Sequence, residues 1–88
     1  MAWKIEFEKP ARKEFLKLGY PTQKKIVKYL SSKVAINPKQ YGKSLSGNLS
    51  GLWRYRVDGF RIICRIEDHT LTIVVLRVAH RSRVYQQH

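Results

Sequence analysis

An α+β fold is predicted: an N-terminal strand, an αα-hairpin, then a three-stranded antiparallel meander. Together they would form one twisted sheet with the helices packed on one face. Three observations predict it. Trp3 to Phe7 alternates apolar and charged residues, the period of a half-buried strand. Two lysine-rich segments between Pro10 and Val34 carry apolar residues at helical spacing. From Leu52 to Ala79 the chain reads as strands around an Asp58-Gly59 pair, a strong hairpin signal.

Each element follows from its residues. Pro10 suits the first position of a helix running to Leu18, because its missing N–H is not needed there. Ala11, Phe15 and Leu18 form one stripe of that helix, with Arg12, Lys13 and Lys17 off it. Gly19-Tyr20-Pro21 stops it and starts the next. There Gln23, Val27, Leu30 and Val34 are expected to line one face with Ile26 beside them, while Lys24, Lys25 and Lys28 point elsewhere. Asn37-Pro38 closes the hairpin, and a polar, glycine-containing loop is expected up to Gly51. Leu52–Val57 and Phe60–Glu67 are the paired strands, and Asp68-His69 turns the chain into a last strand over Thr70 to Ala79.

A two-residue turn at Asp58-Gly59 sets the hairpin register. It pairs Val57 with Phe60, Arg56 with Arg61, Tyr55 with Ile62, Arg54 with Ile63 and Trp53 with Cys64. Side chains alternate between faces. Trp53, Tyr55, Val57, Phe60, Ile62, Cys64 and Ile66 therefore share the core side, and Arg54, Arg56, Arg61 and Arg65 share the other. Like charges directly opposite destabilise a sheet by roughly 0.2–1 kcal/mol, so Arg56 against Arg61 is a local defect of the kind that marks an anion site. A second two-residue turn would put Thr72, Val74, Leu76, Val78 and His80 on this arginine side. A bulge or longer turn would reverse that parity.

Charge and size bound the function. The 88 residues are expected to form a single domain, 1–88, since a chain this short supports one core. The balance of 18 Lys and Arg against 6 Asp and Glu gives a net charge of +12, which a polyanion would offset. Every lysine lies at or before Lys43, and only arginines follow: Arg54, Arg56, Arg61, Arg65, Arg77, Arg81 and Arg83. Lysine suits a solvated helix face, whereas the planar arginine fork suits bidentate phosphate contacts. Lys13, Lys17, Lys24, Lys25, Lys28 and Lys43, with Arg65 and Arg83, are candidates for docking a nucleic acid. The most apolar stretch, Leu71 to Leu76, is strand-length, against the ~18 residues of a membrane span. No signal peptide is visible and Cys64 is a lone cysteine, so a cytoplasmic location with no membrane partner is expected.

Other chemistries are weakly supported. Gly42-Lys43-Ser44 lacks the earlier glycine of a phosphate-binding loop, since position 37 is Asn. The histidines and few acids have no metal-ligand spacing, so no metal or cofactor is expected. Cys64 alternates with Phe60, Ile62 and Ile66 and reads as core.

Leu45-Ser46-Gly47, Leu52-Trp53-Arg54-Tyr55-Arg56-Val57, Phe60-Arg61-Ile62-Ile63-Cys64-Arg65-Ile66 and Val78-Ala79-His80-Arg81-Ser82-Arg83-Val84-Tyr85 resemble the RelE/ParE superfamily of bacterial toxin–antitoxin systems. The element order agrees over the whole chain. The resemblance implies one of two activities: RelE-type members cut mRNA in the ribosomal decoding site without a metal, and ParE-type members poison DNA gyrase. Carried over by position, it implies catalytic roles for Arg54, Arg56, Arg61, Arg81 and Tyr85, and favours the RelE type. Lysines common at the first two positions are here arginines, which are poor bases because their pKa exceeds ~12. His80 is then the natural candidate base. The implied partners are an acidic RelB-like antitoxin, the ribosome with mRNA in its decoding site, and a toxin–antitoxin heterotetramer that meets operator DNA through the antitoxin. A nucleic-acid-binding module without catalysis remains an alternative.

Overall fold

The computed structural model describes residues 2–80. Strand β1 (Lys4–Phe7) leads into α1 (Lys9–Leu16) and α2 (Tyr20–Tyr29), which continues as a π-helical turn over Leu30–Val34. A short α3 (Pro38–Tyr41) and strand β2 (Lys43–Ser44) follow, then β3 (Leu52–Val57), β4 (Phe60–Glu67) and β5 (Thr72–His80). The sheet order is β1-β5-β4-β3-β2, with β1 parallel to β5 and the other pairs antiparallel. The predicted strand, αα-hairpin and meander are all present. The segment read as a loop from Pro38 to Gly51 differs, since it contains α3 and the edge strand β2.

The helices cover one face of the sheet. Ala11, Ile26, Leu30 and Val34 pack on Tyr55, Val57, Ile62, Cys64, Ile73, Val75 and Val78, with Ile5, Phe7, Trp53 and Phe60 at the margins. Val27 does not join them as expected; it is 50% exposed. The reason lies in the π turn. In an α-helix a step of four residues overshoots a full turn by about 40°, and the wider π turn brings the next step back. Ile26, Leu30 and Val34 thereby fall on one line, and Val27 lies beside it. The hydroxyls of Ser31 and Ser32 take the carbonyls of Val27 and Lys28, back-bonding that helps bend a helix. Ala35 N–H closes the wide turn on the Leu30 carbonyl at 2.7 Å.

The β3–β4 register is the one expected from the Asp58-Gly59 turn, including Arg56 opposite Arg61. Both turn residues have positive φ (52° and 83°), as a type I′ hairpin turn requires. The β4–β5 connection is longer: a 3₁₀ turn over Asp68–Thr70 and then Leu71 at φ 49°. Past it, Glu67 pairs with Thr72, Ile66 with Ile73, Arg65 with Val74 and Cys64 with Val75. The register then shifts, so that Ile63 meets Arg77, Ile62 meets Val78, Arg61 meets Ala79 and Phe60 meets His80, leaving Leu76 unmatched as a bulge. Parity reverses there. Thr72 and Val74 stand on the arginine side as expected. Val78 and His80 instead join Ile62 and Phe60 on the helix side, which corrects the expected placement of both.

Candidate functional site

The arginine side of the sheet is built by three strands. Arg54 and Arg56 alternate on β3 with Tyr55, whose side chain is fully buried among the core residues. The Tyr55 hydroxyl donates to the Pro38 carbonyl at 2.6 Å, tying β3 to α3. Burial raises the Tyr55 phenol well above its ordinary value, with the neighbouring Cys64 and Tyr29 acting in the same direction, so it remains a donor. Gly42 is required beside it: a Cβ there would lie 2.6 Å from the Tyr55 ring and 2.8 Å from the Arg54 carbonyl. This close approach brings Lys43 opposite Arg54 across β2–β3.

Arg61, the second residue of β4, directly faces Arg56. Ile63, Val74 and Thr72 are buried on this side too, at 6% exposure each. Ile63 stands opposite Arg54 on β3, Val74 opposite Arg65 and Thr72 opposite Glu67. Nε of Arg54 and of Arg61 is shut off from solvent, although both side chains keep other interactions. The ladder thus fixes the backbone positions from which the three arginines project.

The carboxylates of the described residues are mostly engaged elsewhere. Glu67 takes Arg65 at 3.0 Å, Asp58 meets Lys25 at 3.5 Å, Asp68 meets Lys39 at 3.1 Å and Glu6 meets Lys4 at 3.7 Å. Glu14 of α1 accepts from Arg77 at 2.9 Å and from the Val78 backbone N–H at 2.8 Å, capping the β5 edge beyond the end of β1. This contact was not legible in sequence, because Glu14 and Arg77 are far apart in the chain. Arg65, a docking candidate, is likewise drawn toward Glu67.

The predicted site residues fall into four groups. Arg54, Arg56 and Arg61 come together with Lys43. Lys13, Lys17, Lys24, Lys25 and Lys28 lie in or next to the helices that cover the other face, all exposed. His80 contradicts its expected place beside Arg61. It is on the helix side, edge-on to Phe60 with ring centroids 5.7 Å apart, and lines a hollow with Glu14, Lys17, Leu18 and Arg77. Arg81, Arg83 and Tyr85 lie outside the described residues. Among the described residues no three His, Cys, Asp or Glu side chains gather as metal ligands would. Burial pushes the Cys64 thiol far above its ordinary value, which fits packing and not nucleophilic attack.

Two tyrosines escaped the sequence reading. Tyr29 of α2 and Tyr41 of α3 meet Lys43, Arg54 and Arg56 around a pocket of 160 Å³. The signal available was aromatic residues among lysines, and only the fold brings them to the β3 edge.

Comparison with known proteins agrees with this architecture. Residues 5–85 match the family described as ParE toxin of type II toxin-antitoxin system, parDE. Toxin RelG of Mycobacterium tuberculosis is 30% identical over 87 residues, covering 99% of this chain and 100% of RelG. Among solved structures, the RelBE2 toxin–antitoxin complex of M. tuberculosis contains a chain 29% identical with a TM-score of 0.86, covering 93% of this chain and 94% of that one. The isolated E. coli RelE toxin is 26% identical with a TM-score of 0.78, covering 98% and 94%.

Proposed function

The chain belongs to the RelE/ParE superfamily of type II toxins, and from that premise we propose that it is a RelE-type mRNA endoribonuclease acting on the ribosome. The observation that carries this reading is the Arg56–Arg61 pair, two like charges held directly opposite beside Arg54. Such a pair is unfavourable for the sheet and favourable for a phosphate between them.

In the proposed reaction the ribose 2′-hydroxyl gives its proton to solvent water and its oxygen attacks the adjacent phosphorus, a 2′,3′-cyclic phosphate forms, and the 5′-oxygen leaves, taking a proton to become a hydroxyl. Negative charge grows on the non-bridging oxygens of the phosphorane. Arg61, with Arg54 or Arg56, holds those oxygens, and the benefit is largest where the donors are already in place. Among the described residues no imidazole shares this space, since His80 stands on the other side of the sheet. The proposal therefore assigns the described arginines electrostatic stabilisation and no role as base. Arg81 at the leaving oxygen and Tyr85 against a base complete it. The cations supply the charge, so the reaction needs no metal.

The docking surface is proposed to be the lysines of the helix layer, Lys13, Lys17, Lys24, Lys25 and Lys28, with Arg65 and Arg83 contributing. An acidic, RelB-like antitoxin is the proposed partner in the cytoplasm, joining the toxin in a heterotetramer on operator DNA. Antitoxins of that name accompany toxins of this fold in solved complexes. Leu16, Tyr20 and Val27 on α1 and α2 are exposed at 61%, 70% and 50%, an apolar surface suited to such a partner.

Induction in cells followed by primer extension tests the reading. Codon-phased 5′ ends in translated mRNA are expected. Intact mRNA with cleaved or relaxed DNA would replace it by gyrase inhibition, the second reading, which the ParE name of the matching family favours. Neither effect, with retained RNA binding, would leave a binding module without catalysis.

A further inference from the structure

Strand β2 is short. It pairs only with Trp53 and Arg54, so β3 loses its outer neighbour toward Val57. The space beside that open edge is not filled by apolar packing. Tyr29 and Tyr41 enter it from the helix layer, and Lys43, Arg54 and Arg56 from the arginine side. The pocket therefore wraps the edge of the sheet and shares two residues with the proposed active site.

We propose that this pocket is a nucleotide subsite, seating one phosphate and base of the RNA strand next to the scissile phosphate. The proposal deepens the nuclease reading and rests on it. Three cations serve the phosphate, and the two phenol rings serve the ribose and base. Single-stranded RNA is bound by this combination, with basic groups along the backbone and aromatic faces under the bases. An acidic peptide would need the cations alone.

Size limits the pocket to part of one nucleotide. At 160 Å³ the pocket is below the roughly 300–1,000 Å³ that accepts a whole small-molecule ligand. It shares Arg54 and Arg56 with the arginine side, so a bound unit can continue into a strand crossing Arg56 and Arg61. Lys33 stands over the Tyr41 ring with Nζ 5.4 Å from its centroid, adding a further cation near the rim. The Tyr29 phenol is raised from its ordinary value by burial and by the nearby Tyr41. It stays protonated at neutral pH and donates to a phosphate or ribose oxygen.

The test uses the full chain and a single-stranded RNA hexanucleotide, with Tyr ring resonances followed by NMR. Saturable shifts at Tyr29 and Tyr41 are expected. Tyr41→Ala should weaken hexanucleotide binding about ten-fold, within the range for losing one stacking ring, and Tyr41→Phe should restore most of it. On ribosomes, Tyr41→Ala should raise the half-saturating concentration while the single-turnover maximum stays within about two-fold. Unmoved tyrosine resonances, or a Tyr41→Ala variant that binds and cuts as wild type does, overturns the subsite while leaving the nuclease reading in place. Saturable binding at the tyrosines with no cleavage on ribosomes upholds a nucleotide site and removes the nuclease. Shifts produced by a glutamate-rich peptide and not by the hexanucleotide reassign the pocket to a protein partner.

Discussion

The two faces of the sheet use the same alternating strands for opposite purposes. On the helix side Tyr55, Ile62, Cys64, Ile73 and Val75 are completely buried and neighbour one another. On the other side Arg54, Arg56 and Arg61 share the face with the buried Ile63 and Val74. One residue step separates a position that stabilises the fold from one that costs it something. The difference teaches that a side chain's contribution here is decided by parity before it is decided by residue type. Stability and activity should then separate by face when residues are substituted.

The largest effect is expected in the core. Ile62→Ala removes a fully buried side chain and should lower unfolding free energy by about 2–5 kcal/mol, the range for such truncations. Urea denaturation measures it, and a smaller cost would show that the helix side is looser than its burial indicates. Next comes Arg61→Ala, expected to slow single-turnover cleavage on pre-bound ribosomes by roughly 10²–10³-fold, the scale for one preorganised donor. The same variant should keep its circular-dichroism spectrum. Normal cutting once bound would end the division of labour between faces.

Tyr55→Phe probes the joint between the faces, because Tyr55 lies between two arginines and is anchored through its hydroxyl. Losing that bond should cost about 1–2 kcal/mol and slow cleavage modestly through displaced Arg54 and Arg56. A loss of stability with unchanged cleavage would show that β3 holds the arginines without this anchor. The smallest effect is assigned to the helix lysines. Lys24→Ala with Lys28→Ala should weaken ribosome binding several-fold and flatten its salt dependence, with the cutting step unaltered.

How much of this was legible follows from where the determining forces are local. The β3–β4 hairpin was readable because Asp58-Gly59 selects a two-residue turn and the turn dictates every pair up to Trp53–Cys64. The β4–β5 pairing was not, because Asp68-His69 begins a longer turn and nothing in Val75-Leu76-Arg77 announces a bulge. That is why Arg61 is in place and His80 is not. The exposed Val27 and the buried Ile26–Leu30–Val34 line likewise depend on a π turn that an ideal helical period cannot foresee. Glu14 on Arg77, and Tyr29 and Tyr41 beside Arg54, join segments that only folding brings together.

The bulge at Leu76 also bears on how such a chain can change in the course of mutation. Because Leu76 has no partner on β4, deleting its codon removes no ladder position. Arg77 would then follow Val75 directly, and Val78 and His80 would keep the helix side while Arg77 and Ala79 keep the other. The loss of three nucleotides would straighten the strand and leave Glu14 with its guanidinium. Leu76 is in this sense a spare residue, the one place in β5 where the chain can shorten without exchanging its faces.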